Sequence, residues 1–137
     1  MSIPVFYNLS SAPTPVAPFS HAVECDGWVQ VTGQMPTDPV DDTKPLPDDI
    51  QAQTRRVMEN LMIILNEMQL GLENVLSTRV FLTNFKRDYE PMNNVYRSYF
   101  PQDKLPARTC VGVTDLALGA LVEIDMVAKR FEGLSPG

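Results

Sequence analysis

The sequence predicts an α+β fold in which one mixed β-sheet carries two amphipathic helices on the same face. Three observations predict it. Short apolar runs are bounded by turn residues, two longer segments repeat apolar residues at helical spacing, and both of those segments lie between strands. At 137 residues, with 44% hydrophobic and 20% charged content, residues 1–137 read as a single globular domain. The tail at 132–137, rich in glycine, serine and proline, is expected to fray.

Residues 20–25 and 28–32 form two short strands joined by Asp26-Gly27, a two-residue hairpin signal. A further strand is expected at 5–9. The first helix should span about 49–70, with Asp48 as N-cap, Gln51 three residues later as in a capping box, and Gly71 at C′. Its apolar stripe is Ile50, Thr54, Val57, Met58, Leu61, Leu65 and Met68, with Arg55, Arg56, Glu59 and Glu67 mostly on the solvated side. A strand follows at 77–82. The second helix, about 88–100, buries Met92, Val95, Tyr96, Tyr99 and Phe100, and Pro91 fits its first turn. Residues 108–113 and 121–131 supply the last strands.

Both helices link strands, so both should cover the same sheet face. Apolar groups then read as falling on the other face too, among Trp28, Val29, Val31, Val80, Phe81, Val122, Ile124 and Met126. A second cover is needed, and self-association supplies it: a homo-oligomer is expected.

The net charge of −6 argues against a nucleic-acid partner. No apolar run reaches the ~18 residues of a membrane span, and no signal peptide is evident, so a cytoplasmic, membrane-free protein is expected. Cys25 and Cys110 fit no metal spacing, and a lone His21 builds no triad or zinc site. Met58, Met62 and Met68 read as core filler.

The segment Leu105-Pro106-Ala107-Arg108-Thr109-Cys110-Val111 holds the densest chemical information. Period-2 alternation sets Arg108, Cys110 and Gly112 on one face. A guanidinium in a strand either pairs with an internal carboxylate or waits in a wet cleft for an anion.

Four segments together, Ala17-Pro18-Phe19-Ser20-His21-Ala22-Val23, Val31-Thr32-Gly33-Gln34, Met92-Asn93-Asn94-Val95-Tyr96 and Pro106-Ala107-Arg108-Thr109-Cys110-Val111, are followed by Val122-Glu123-Ile124-Asp125. In order and approximate spacing, over roughly residues 12 to 130, they resemble the Rid (YjgF) family of reactive-intermediate deaminases. The resemblance implies a chorismate-mutase-like fold, assembled as a homotrimer with clefts between subunits. It further implies hydrolysis of enamines and imines such as 2-aminoacrylate and 2-iminobutanoate to 2-oxoacids and ammonia, with small 2-imino and 2-oxo acids as ligands and no cofactor.

By the same resemblance, Arg108 would bind the substrate carboxylate and Glu123 would position the attacking water. From its own context, Glu123 is equally an edge-strand charge that discourages aggregation. Cys110 would lie beside the water, its thiol being inert packing. Asn93 matches a polar residue near the cleft, although asparagine is common on helix surfaces. Thr32 and Gly33 match the loop after the hairpin, where Thr32 retains a hydroxyl and Gly33 is a candidate for a positive φ. Phe19 stands where the family's best-studied branch has tyrosine, keeping the ring and losing the donor. Two other readings stay open: a related hydrolase or deaminase for a different metabolite, and a non-enzymatic carboxylate-binding trimer. A ribonuclease is disfavoured by the acidity and by the lack of an acid–base pair.

Overall fold

The computed structural model describes residues 3–131. Its strands are β1 (Val5–Tyr7), β2 (Ala22–Cys25), β3 (Trp28–Gln34), β4 (Val75–Leu82), β5 (Ala107–Gly112) and β6 (Val122–Lys129). Helix α1 (Ile50–Glu67) joins β3 to β4, and α2 (Phe85–Arg97) joins β4 to β5. The six strands form one sheet in the order β1-β2-β3-β6-β4-β5. Only β4 and β5 pair in parallel; the other neighbours are antiparallel. Since β3 and β4 both run antiparallel to β6, each helix is a crossover between strands of one direction. Such crossovers share one hand, so both helices land on the same face. There they touch each other, α1 over β3 and β6 and α2 over β4.

The hairpin forms as expected, with Asp26 at φ 56° and Gly27 at φ 78°, the paired positive angles that match strand twist. Helix ends differ from the sequence reading. The cap of α1 is Asp49, one residue beyond Asp48, and its carboxylate accepts from Ala52 N at 2.7 Å. At the other end Gln69, not Gly71, takes the left-handed turn at φ 61°. Gln69 N donates to Asn66 O (3.0 Å) and Leu70 N to Leu65 O (2.8 Å), which closes a Schellman motif two residues before Gly71. Helix α2 starts three residues earlier than expected, because Asn84 caps it by accepting from Arg87 N. Pro91 therefore sits in the helix interior rather than its first turn. The expected tail at 132–137 lies outside the described residues.

The core is the space between the helices and the sheet. Val57, Met58, Leu61, Ile64 and Leu65 of α1 and Met92 of α2 are fully covered, against Val29, Val80, Leu82, Val122 and Ile124. Each such side chain contributes about 1.5–3 kcal/mol of burial. Met58 and Met68 belong to this core, whereas Met62 is exposed. Polar residues on the covered side of α1 tie loops to it. Gln53 accepts from Leu121 N and donates to Pro47 O, and Asn60 donates to Met35 O and Thr37 O. His21, also buried, accepts from Leu9 N at Nδ1 and lies 2.7 Å from Pro13 O at Nε2, so it is a structural clasp.

The uncovered face is less apolar than the sequence reading had it. Val29, Val31, Val80, Val122, Ile124 and Met126 all point to the helices. Trp28, Phe81 and Val127 lie opposite, but among Gln30, Arg79, Glu123, Asp125 and Lys129. Arg79 grips Asp125 bidentately, Nε to Oδ1 at 3.1 Å and Nη2 to Oδ2 at 2.6 Å.

Candidate functional site

The parallel register of β4 and β5 decides where Arg108 points. Arg108 pairs with Thr78 and Cys110 with Val80, residues whose side chains face the helices, so Arg108 and Cys110 face α2. There Arg108 Nη1 donates to Asn93 Oδ1 at 2.8 Å and Nη2 approaches the Tyr89 hydroxyl at 3.4 Å. The guanidinium carbon stands 5.1 Å from the Tyr96 ring centroid and 5.8 Å from that of Tyr89. Tyr89, Asn93 and Tyr96 recur at helical spacing along one side of α2. Sequence reading placed Tyr96 in the core and missed that it also forms the arginine's floor. Among the described residues no carboxylate pairs with Arg108. A half-buried guanidinium held by an amide and two aromatic rings keeps its full charge available to an anion. It borders a cavity of about 290 Å³ lined by Asn93, Tyr96, Arg97, Leu105, Pro106 and Arg108. Burial pushes the Cys110 thiol above its ordinary value, outweighing the nearby Arg108 charge, so the thiol is protonated at neutral pH.

Glu123 lies elsewhere. It pairs with Phe81 on β4, in the opposite phase to Thr78 and Val80, and so projects from the uncovered face. Burial raises its carboxyl above the ordinary value of 4.5, Asp125 adds to the rise, and Arg79 opposes it. A carboxylate raised toward neutrality is a better general base than an ordinary one.

Beside it, a β-bulge in β3 accounts for Gly33. Val31 pairs with Met126 and Gln34 with Ile124, so Thr32 and Gly33 together oppose one residue of β6. A Cβ on residue 33 would overlap the Glu123 carboxylate, meeting its Cδ at 3.0 Å. Gly33 has no positive φ, contrary to the sequence reading. A side chain here would displace the Glu123 carboxylate from its present position. Phe19 and Gly33 line a common small depression with Gln34 and Met35. Thr32 is spent within the hairpin: its hydroxyl donates to Ser20 O at 2.6 Å and its N–H to His21 O.

The predicted residues therefore fall into two groups. Arg108, Asn93 and Cys110 lie under α2 near one sheet edge, while Glu123, Gly33 and Phe19 gather around the bulge. Strand β4 separates β5 from β6, about 10 Å at ordinary strand spacing, and the two charged groups project from opposite faces. One small molecule cannot touch both within a single chain.

A sequence model described as Endoribonuclease L-PSP matches residues 9–130. A RutC family protein of Synechocystis is 38% identical over 119 residues, covering 87% of this chain and 91% of its own. Among solved structures, a Rid-family protein of Yersinia pestis superposes with a TM-score of 0.84 at 32% identity, over 93% of this chain and 100% of that one. TdcF of E. coli with bound serine gives a TM-score of 0.85 at 29% identity, over 93% and 99% of the two chains. Sequence and fold agree over nearly the whole length, and the chain belongs to the Endoribonuclease L-PSP family, that of the YjgF and Rid proteins.

Proposed function

We propose that this protein hydrolyses short-lived 2-imino acids and their enamine tautomers, such as 2-iminobutanoate and 2-aminoacrylate, to 2-oxoacids and ammonia. The observation that carries the reading is Arg108: a half-buried guanidinium, braced by Asn93 and two tyrosines, with no carboxylate partner among the described residues. The serine held by TdcF, an amino acid with the same carboxylate, supports it. The opposite placement of Arg108 and Glu123 supports a cleft built from two copies, one giving Arg108 and Asn93, the other Glu123, Gly33 and Phe19. A cyclic homotrimer contains three such clefts, and mixed apolar and charged groups on the uncovered sheet face suit burial against a neighbour.

In that cleft Arg108 binds the carboxylate and Glu123 takes a proton from water as the water oxygen adds to the imine carbon. The resulting carbinolamine carries hydroxyl and amine on one carbon. The imine enters protonated on nitrogen, so this carbinolamine is neutral. Glu123 returns its proton to the amine, the C–N bond breaks to release ammonia, and Glu123 takes the hydroxyl proton as the C=O bond forms, passing it on to solvent. Orientation and base catalysis suffice here, because the imine carbon is already electrophilic. A ribonuclease reading is not supported by the charge of −6 or by His21, whose ring nitrogens both face backbone partners.

The test is loss of imine, generated by an amino-acid oxidase, alongside mass photometry of the same protein. Faster imine decay with a species of three chains is expected. A monomer at micromolar concentration overturns the composite cleft, and a decay rate unchanged by the protein overturns the activity.

Phe19 offers a separate check. Phe19→Tyr adds a hydroxyl beside Gly33, worth about 0.5–1.5 kcal/mol with a partner and costing about 1–3 kcal/mol if buried without one. Turnover of 2-iminobutanoate should be unchanged or faster with Tm nearly preserved. A fall in Tm without kinetic gain would instead indicate a cleft shaped for a more apolar metabolite.

A further inference from the structure

The cavity beside Arg108 holds a second arginine. Arg97, the last residue of α2, lines the same space of about 290 Å³. Its Nε donates to Asn93 O at 3.3 Å, and Asn93 Oδ1 in turn receives Arg108 Nη1. One asparagine thus braces both guanidiniums, from its main chain and its side chain. Among the described residues neither guanidinium has a carboxylate within ion-pair distance. Arg79, Arg87 and Arg130 are matched by Asp125, Asp88 and Glu24, and although Arg55 and Arg56 on α1 also lack an ion pair among these residues, neither lines this cavity. A chain of net charge −6 has carboxylates to spare, yet leaves two like charges facing one small cavity. Position at a helix C-terminus favours a cation at 97 but does not account for a shared cavity.

We infer that Arg97 recognises a second anionic group on the ligand, so that the preferred substrates are 2-imino acids whose side chain ends in a carboxylate. This rests on the reading of Arg108 as the site for the 2-carboxylate. A monocarboxylate neutralises Arg108 and leaves Arg97 uncompensated. A dicarboxylate neutralises both, each through the planar fork that a guanidinium offers. Leu105 and Pro106, which complete the lining, give the intervening methylenes an apolar surface. The space suits a small acid rather than a nucleotide.

The stable 2-oxoacid products serve as probes, paired so that carbon number is constant: 2-oxoglutarate against 2-oxopentanoate, with inorganic phosphate as a third ligand. Isothermal titration of the wild-type assembly should show 2-oxoglutarate binding at least about tenfold more tightly than 2-oxopentanoate. In Arg97→Gln that ratio should fall to near one, whereas Arg108→Gln should weaken both acids. Since Arg97 is exposed, its replacement leaves the fold intact, and an unchanged Tm verifies this. A ratio near one in wild type, or a ratio untouched by Arg97→Gln, overturns the inference. So does phosphate binding more tightly than 2-oxoglutarate, which would assign the two arginines to a phosphorylated ligand. The hydrolytic reading is scored separately by imine decay: catalysis without the dicarboxylate preference refutes only the role of Arg97, and the preference without catalysis refutes only the hydrolysis.

Discussion

Arg108→Ala is expected to lower kcat/KM for a short 2-imino acid by about 10²–10⁴-fold. A bidentate, charge-assisted contact comprises two hydrogen bonds of roughly 1.5–3 kcal/mol each, and every 1.4 kcal/mol is a factor of ten. The loss should be as large in the affinity for 2-oxobutanoate, because the same carboxylate is present before and after the reaction. Fold stability should change little. The arginine is only half-buried, and Asn93, whose Oδ1 it leaves, borders a cavity that water can enter. Arg108→Lys should recover only part of the affinity, since an ammonium is a point charge without the planar fork. Titration calorimetry and initial rates on the three proteins check this, and full activity in Arg108→Ala would make the arginine structural.

Glu123→Gln should show the opposite signature: turnover is expected to fall about 10²–10⁴-fold, the usual worth of a general base, while affinity for the 2-oxoacid is nearly kept. Stability should rise. Burial and Asp125 lift the Glu123 carboxyl above 4.5, so the fold disfavours its ionised form. That penalty is absent below the unfolded value and grows as pH rises through the folded one. Glutamine escapes it. The Tm gain of Glu123→Gln should therefore be present at pH 7 and vanish toward pH 4. In wild type, kcat/KM should fall on the acid side at a pH above that of an ordinary glutamate, as the base becomes protonated. Arg79 tempers both effects, since its charge favours the carboxylate. Retention of full turnover by Glu123→Gln would leave the carboxylate a purely structural or protective charge.

The two predictions draw on residues whose legibility differed. Arg108 stood out because a lone guanidinium in a strand requires an explanation that composition cannot supply. Its facing, with Cys110, followed from alternation and is what the register shows. Glu123 sat in an equally plain alternating strand, but nothing local distinguishes a base from an edge charge. Gly33 was read through its backbone freedom, the property a sequence exposes, whereas the structure sets it against the carboxylate across the bulge. The helix ends slipped for a related cause. Asp48 and Asp49 are equally good caps in isolation, and Gln69 takes the left-handed turn as Leu70 N reaches back to Leu65 O and its side chain is buried.

By itself the sequence determined the order of strands and helices, the hairpin at Asp26-Gly27, the covered stripe of α1 and the shared face of Arg108 and Cys110. These follow from local periodicity and turn stereochemistry, which act between residues a few positions apart. Only the tertiary structure decided that Asn93, Tyr89, Tyr96 and Arg97 converge on Arg108, that Glu123 and Gly33 share one bulge, and that these two groups occupy opposite faces of one sheet. Those facts depend on strand order and on register between strands distant in the chain. A shift of one residue there reverses every side chain, and no local signal records it.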